Sequence, residues 1–216
     1  TEHMFFGADR LPIVQKMITA TTGSERRESV EALLPFQRGD FDGLFRAMDG
    51  HPVIIRLLDP PMHEFLPGWD ELTRKATDLQ IRLTRASGLD EVERRVDQPS
   101  EGRATLGRVE ALREANPMLG LRGVRLGIRL PEITRMQARA VFEAAIDVRA
   151  DGIEVHPEIM VPLVSHAEEL RRQRAVIDET AAEVAAERDT ELHYLVGAMI
   201  EVPRAAITAG DIAVHA

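Results

Sequence analysis

Four short apolar runs, most of them followed by a segment of helical period, limit how this chain can fold. Val53-Ile54-Ile55, Val124-Arg125-Leu126-Gly127-Ile128, Ile159-Met160-Val161-Pro162-Leu163-Val164 and the stretch from Leu192 to Ile200 read as buried strands of the kind found in parallel sheets. Pro131 opens a helix with Ile133, Met136, Ala140 and Ala144 at core spacing. Leu170, Ile177 and Val184 lie seven apart on a second, long helix, and Pro203 starts a third that runs to about Gly210. Strand and helix alternate, which predicts an α/β fold with a parallel sheet and right-handed crossovers. A doubly wound sheet and a (β/α)8 barrel both satisfy that pattern.

Upstream of the first strand, Asp9 is positioned to cap a helix whose Val14, Met17 and Ile18 share a face. Thr22-Gly23-Ser24 breaks it. Ser24 then caps a second helix that ends near Pro35, and Asp40 to Met48 forms a short third one. Residues 70–103 stand apart. Leu72, Ala76, Leu79 and Leu83 make a helical stripe that Gly88 can end, and the strongly charged run from Asp90 to Arg103 follows. This segment reads as a helical excursion from the core architecture. Leu106, Val109 and Leu112 suggest another short helix, and Asn116-Pro117 a turn.

Composition excludes several classes. The 216 residues, 44% of them hydrophobic, suffice for a real core. No apolar run approaches the length of a membrane helix, and no secretory signal is visible, so neither a membrane nor export is expected. The net charge of −9 and the 4% aromatic content argue against nucleic-acid binding. The absence of cysteine removes disulfides and a thiol nucleophile and points to a cytoplasmic setting. Lys16 and Lys75 are the only lysines among 27 basic residues, a bias that compositional drift accounts for. No glycine-rich dinucleotide fingerprint, P-loop or Gly-x-Ser-x-Gly elbow is present.

In a parallel α/β protein the site lies at the carboxyl ends of the strands. Arg56 ends the first run, Arg122 and Arg125 flank the start of the second, and Glu201 follows the fourth. Two converging arginines and a carboxylate suit a small polyanion and a divalent cation. The competing reading is structural: Arg56 or Arg122 pairs with Asp59 or Glu201, and Arg125 is an ordinary strand residue. The seven histidines show no metal-ligand spacing, and each reads as a surface or loop residue. His63 is the one on a loop, after Asp59-Pro60-Pro61, that already draws attention.

Several blocks resemble a known family. Thr1-Glu2-His3-Met4-Phe5-Phe6, Leu33-Leu34-Pro35 and Arg56-Leu57-Leu58-Asp59-Pro60-Pro61-Met62-His63-Glu64-Phe65-Leu66-Pro67 come first. Asn116-Pro117-Met118-Leu119-Gly120-Leu121-Arg122-Gly123-Val124-Arg125, Glu158 to Val164 and Gly197-Ala198-Met199-Ile200-Glu201-Val202-Pro203-Arg204-Ala205-Ala206 follow in order. Together they are similar to the C-terminal phosphoenolpyruvate/pyruvate-binding domain of the pyruvate phosphate dikinases, within the PEP-utilising enzymes.

The resemblance implies that residues 1–216 are part of a (β/α)8 TIM barrel, about strands 2–5 plus part of strand 1. It implies transfer of a phosphoryl group between a phosphohistidine on a swivelling domain and pyruvate. A separate domain would bind ATP, in an overall reaction of ATP, pyruvate and phosphate to AMP, phosphoenolpyruvate and diphosphate. Arg56 and Arg122 match arginines that hold the phosphoryl group and substrate oxygens. Glu201 matches a ligand of Mg2+. A homodimer is implied for the full enzyme. A second Mg2+ ligand and a cysteine acid of the family have no counterpart here, and both ends read as cut, so the expectation is a piece of a longer enzyme that is inactive alone. The alternatives are a phosphoenolpyruvate synthase-like enzyme, or a non-catalytic module that binds an anionic metabolite.

Overall fold

The computed structural model describes residues 1–66, 74, 116 and 119–216. The chain divides into two compact units, Thr1–Pro61 with Leu121–Ala216, and Met62–Gly120. The helical stripe of Leu72 to Leu83, the charged run to Arg103 and the expected helix at Leu106 to Leu112 lie outside the described residues.

The larger unit holds a three-stranded parallel sheet in the order β1 (Pro52–Arg56), β2 (His156–Val161), β3 (Leu195–Ala198). Ile55 is in register with Ile159, and Ile159 with Val196. Its helices are α1 (Glu2–Phe5), α2 (Leu11–Thr19), α3 (Gly23–Ala47), α4 (Gly123–Arg129), α5 (Pro131–Ala150), α6 (Ala167–Arg188), α7 (Pro203–Ile207) and α8 (Ala209–Ala213). The α/β class and the parallel sheet follow the alternation read from the sequence.

One face of the sheet is dry. Val53, Ile55, Ile159, Val161 and Val196 join Phe41 and Phe45 of α3, Val141, Phe142 and Val148 of α5, and Leu170, Ile177 and Val184 of α6 in a single core. The period-two side-chain geometry of a strand puts the intervening residues on the other face. There Ile54 and Leu195 are 58% and 64% exposed. Each fully buried aliphatic side chain on the dry face contributes about 1.5–3 kcal/mol relative to exposure.

Several local expectations are corrected. Val124 to Ile128 is helix α4 rather than a strand, so Arg125 is a helical residue. Residues 2–5 are likewise helical rather than part of a first strand. Asp9 does not cap α2, which starts from Arg10 without a side-chain cap. The cap of α3 is Thr22 rather than Ser24. Thr22 Oγ1 accepts from the Glu25 N–H, and Glu25 reaches back to the Thr22 N–H, a closed capping box. That helix runs through Pro35 to Ala47 as one element of 25 residues instead of two. Proline removes one backbone hydrogen bond, but Val30, Leu33, Gln37, Phe41 and Phe45 form one continuous buried stripe across it. Tertiary burial outweighs the local preference to stop. The expected helix from Pro203 to Gly210 is divided at Thr208 into α7 and α8.

A buried polar chain ties the helical layer to the end of β1. The Leu58 N–H donates to Gln137 Oε1 at 2.9 Å, Gln137 Nε2 donates to Gln37 Oε1 at 3.1 Å, and Gln37 Nε2 approaches Met4 Sδ at 3.4 Å. Arg10 then donates to the Met4 carbonyl and pairs with Asp40. Unpaired, these groups would each cost about 1–3 kcal/mol of desolvation. No helix among the described residues is long and apolar enough to cross a membrane.

In the second unit, Met62–Phe65 forms a single 3-10 turn, closed by the Leu66 N–H on the His63 carbonyl at 3.1 Å. His63 Nδ1 is buried with no hydrogen-bond partner among the described residues. The Leu119 N–H on the Asn116 carbonyl, at 3.0 Å, fits the turn expected there.

Candidate functional site

The carboxyl ends of the three strands and the start of α4 meet in a small framework of backbone hydrogen bonds. The Leu57 N–H continues the sheet onto the Met160 carbonyl, and the Met199 N–H onto the Val161 carbonyl, both at 3.0 Å. The Gly123 N–H donates to the Asp59 carbonyl and the Val124 N–H to the Pro162 carbonyl, again at 3.0 Å. The loops after β1 and β2 are thus stitched to the first turn of α4.

Gly123 is required at that junction. Its φ is +54°, and a Cβ there would lie 2.8 Å from Leu163 Cβ and 3.1 Å from both Asp59 Oδ1 and the Pro162 carbonyl oxygen. Leu163, a buried non-glycine residue, has φ of +61°. A left-handed leucine costs energy that its surroundings must offset, and such positions gather at functional sites. Here the unusual backbone presents the Leu163 N–H to Glu201 Oε1 at 2.7 Å.

Asp59 is the hub. It is buried, and its Oδ2 lies 2.6 Å from Arg122 Nη2, with Arg122 Nε 3.3 Å from Oδ1. The fork of the guanidinium therefore grips both carboxylate oxygens. Arg56 Nη1 approaches the same Oδ2 at 3.6 Å, and Arg56 Nη2 donates to Glu2 Oε1 at 2.7 Å. Glu2, Arg56, Asp59 and Arg122 form a row of alternating charge.

Both arginines and Glu201 therefore belong to the larger unit; Arg56 and Glu201 follow strands as expected, whereas Arg122, expected before a strand, precedes helix α4. The structural reading of the arginines holds in part, because both pair with Asp59. The pairing neutralises two guanidinium groups that would otherwise repel, and it brings them to one carboxylate. Glu2 is the residue that the sequence reading missed as a partner of Arg56. It is 54 positions away, and its only signal was the charged second position of the opening block. Arg125 sits on α4, within a turn of Arg122. Among the described residues no three histidine, aspartate or glutamate side chains gather to hold a metal ion.

Among the histidines, His166 caps α6, its Nδ1 accepting from the Glu168 N–H at 3.2 Å, and His156 Nε2 lies 3.0 Å from Glu154.

Comparison with known proteins shows the family. The family model described as "PEP-utilising enzyme, PEP-binding domain" matches residues 1–216. The chain is 52% identical over 216 residues to "Pyruvate, phosphate dikinase 1, chloroplastic" of Arabidopsis thaliana, covering 100% of this chain and 21% of that protein. It is 49% identical over 217 residues to "Pyruvate, phosphate dikinase, chloroplastic" of Mesembryanthemum crystallinum, covering 100% and 21%. It is 49% identical over 214 residues to "Pyruvate, phosphate dikinase 2" of Oryza sativa subsp. japonica, covering 99% and 22%.

Proposed function

Because this chain belongs to the PEP-utilising enzymes, as a PEP-binding domain, we propose that it forms the pyruvate/phosphoenolpyruvate site of a pyruvate, phosphate dikinase. The phosphoryl group passes between a histidine nitrogen on a separate domain and the enolate oxygen of pyruvate. The observation that carries this is the meeting of Arg56 and Arg122 on Asp59, at the carboxyl edge of a parallel sheet. The relatives are named pyruvate, phosphate dikinases, and the chain accounts for 21% of the first relative's length. The ATP-binding step, the phosphohistidine domain and a homodimer belong to the whole enzyme in this reading.

Phosphoryl transfer needs in-line positioning and neutralisation of oxygen charge rather than covalent help from the protein. Arg56 and Arg122 supply planar forks for phosphoryl and carboxylate oxygens. Glu201 would hold Mg2+. One carboxylate with substrate oxygens and waters fits the donor preference of that cation. The Leu163 N–H fixes Glu201 Oε1 and so sets the direction in which the other carboxylate oxygen points. A cation held by Glu201 would supply positive charge that favours formation of the enolate.

The fold of the whole domain is read as a (β/α)8 barrel. Three features support it: the strands follow in sequence order, the helices share the one dry face, and the opposite face presents Ile54 and Leu195 where a barrel has its interior. A doubly wound sheet would carry helices on both faces.

The test uses the full-length enzyme. Arg56→Ala and Glu201→Gln are each expected to lower the exchange of phosphoryl between enzyme and pyruvate by at least about 100-fold. Labelling of the enzyme by ATP and phosphate should continue. Unchanged pyruvate exchange in both variants overturns the reading.

A further inference from the structure

We infer that Asp59 is a positioning residue for the anion site, with Glu2 in the same role on Arg56. The inference rests on the reading of Arg56 and Arg122 as the groups that hold the anion. Two guanidinium groups converge only if something offsets their repulsion. Asp59 does so from a fixed place. Its side chain is 6% exposed, its backbone carbonyl is bonded to Gly123, and the Leu58 N–H just before it is held by Gln137.

The two oxygens of Asp59 have different loads. Oδ1 receives Arg122 Nε, and Oδ2 receives Arg122 Nη2 and faces Arg56 Nη1. Arg122 is gripped along the edge that carries Nε and Nη2, so the plane of its guanidinium is set by the Asp59 carboxylate. Arg56 is fixed from both ends, by Glu2 on Nη2 and by Asp59 near Nη1. The structure thus holds both forks in place before any ligand arrives. A ligand that meets oriented forks does not have to order two long side chains on binding. Neither Asp59 nor Glu2 need touch the ligand for this.

A counter-effect makes the inference sharp. Deleting a negative charge beside an anion site raises the local positive potential, and electrostatics alone then predicts tighter anion binding. Positioning predicts the opposite. Asp59→Asn keeps the shape and removes the charge that orients the guanidinium groups. In the full-length enzyme it is expected to weaken phosphoenolpyruvate binding by about tenfold or more, read as a dissociation constant by calorimetry. Glu2→Gln, which touches only Arg56, is expected to weaken it by about threefold.

Arg56→Ala and Arg122→Ala are measured beside them. If the arginine variants bind phosphoenolpyruvate normally, the underlying reading of the site fails. If the arginine variants lose binding while Asp59→Asn and Glu2→Gln bind as well as or better than the parent, the positioning role alone is overturned. A purely structural role for Asp59 would lower the thermal midpoint and the folded fraction but leave the dissociation constant of the folded fraction unchanged, which also overturns it. Should Asp59→Asn yield no folded enzyme, Glu2→Gln decides: unchanged affinity overturns the inference.

Discussion

Arg122 grips Asp59 through both its Nε and its Nη2, the shorter contact being 2.6 Å, although the two residues are 63 positions apart in the chain. The loop after β1 and the entry to α4 meet at that contact, and the Gly123 N–H on the Asp59 carbonyl closes the same junction from the backbone side. A fault at this junction should therefore affect stability and ligand binding together.

Gly123→Ala puts this to the test. The added methyl would sit 2.8 Å from Leu163 Cβ at a φ of +54°, so backbone and neighbour must both give way. The expected cost is about 2–4 kcal/mol, read as a shift in the denaturant midpoint. Phosphoenolpyruvate affinity of the folded enzyme should fall as well. A variant as stable as the parent would show that the junction tolerates a side chain.

Pro35 offers a prediction of opposite sign. It is exposed in the middle of α3 and donates no backbone hydrogen bond to Glu31. Pro35→Ala adds that bond and changes nothing buried. The expected outcome is a gain of about 1–3 kcal/mol in unfolding free energy. A loss would mean that the proline shapes a bend which the packing of α3 requires.

The glutamine chain should behave as a unit. Gln137→Leu leaves the Leu58 N–H buried without its acceptor, at an expected cost of about 1–3 kcal/mol. Gln37→Leu removes the next acceptor along. Equilibrium unfolding of the two single variants and the double should give a double-variant cost smaller than the sum. Strict additivity would separate the two glutamines energetically.

Tyr194 is the only tyrosine in the chain. Burial and the hydrogen bond it donates to Asp178 at 2.7 Å push its pKa well above the ordinary value of about 10. A raised folded-state pKa means that the contribution to stability is complete below about pH 10 and is lost as pH rises beyond it. Tyr194 should remain protonated at pH 11 for as long as the chain is folded, and tyrosinate absorbance near 295 nm in this chain should appear together with unfolding. Ionisation near pH 10 in the folded chain would show that the Asp178 contact is not made in solution.

Much of this was legible in the chain itself. Three of the four apolar runs contain strands, because short apolar segments with buried residues at alternate positions fit a sheet with one dry face. Val124 to Ile128 misled because Val124, Leu126 and Ile128 alternate as in a strand, while Val124 and Ile128 also lie a helical turn apart. What decides between the two periods is the pair of long-range bonds that fix Gly123 and Val124 to the strand-end loops, and these are invisible locally. Pro35 misled for a related reason, since local propensity marks a stop and the buried stripe on both sides of it marks continuation. Arg56 and Glu201 could be singled out from their places after apolar runs, and Arg122 from its place just before one. Their partners could not all be found so easily: Asp59 was weighed, but Glu2 and the Leu163 N–H are joined to them only by tertiary structure.

The hold on Glu201 comes from an amide that every residue except proline possesses. Replacing the Leu163 side chain one amino acid at a time would leave that donor present each time, and an alanine scan would score position 163 by the volume it removes from the core. The contribution of this position to the carboxylate is written in the path of the main chain. Comparison of side chains across variants will therefore under-report it, and a backbone ester at position 163 is the substitution that would reveal it.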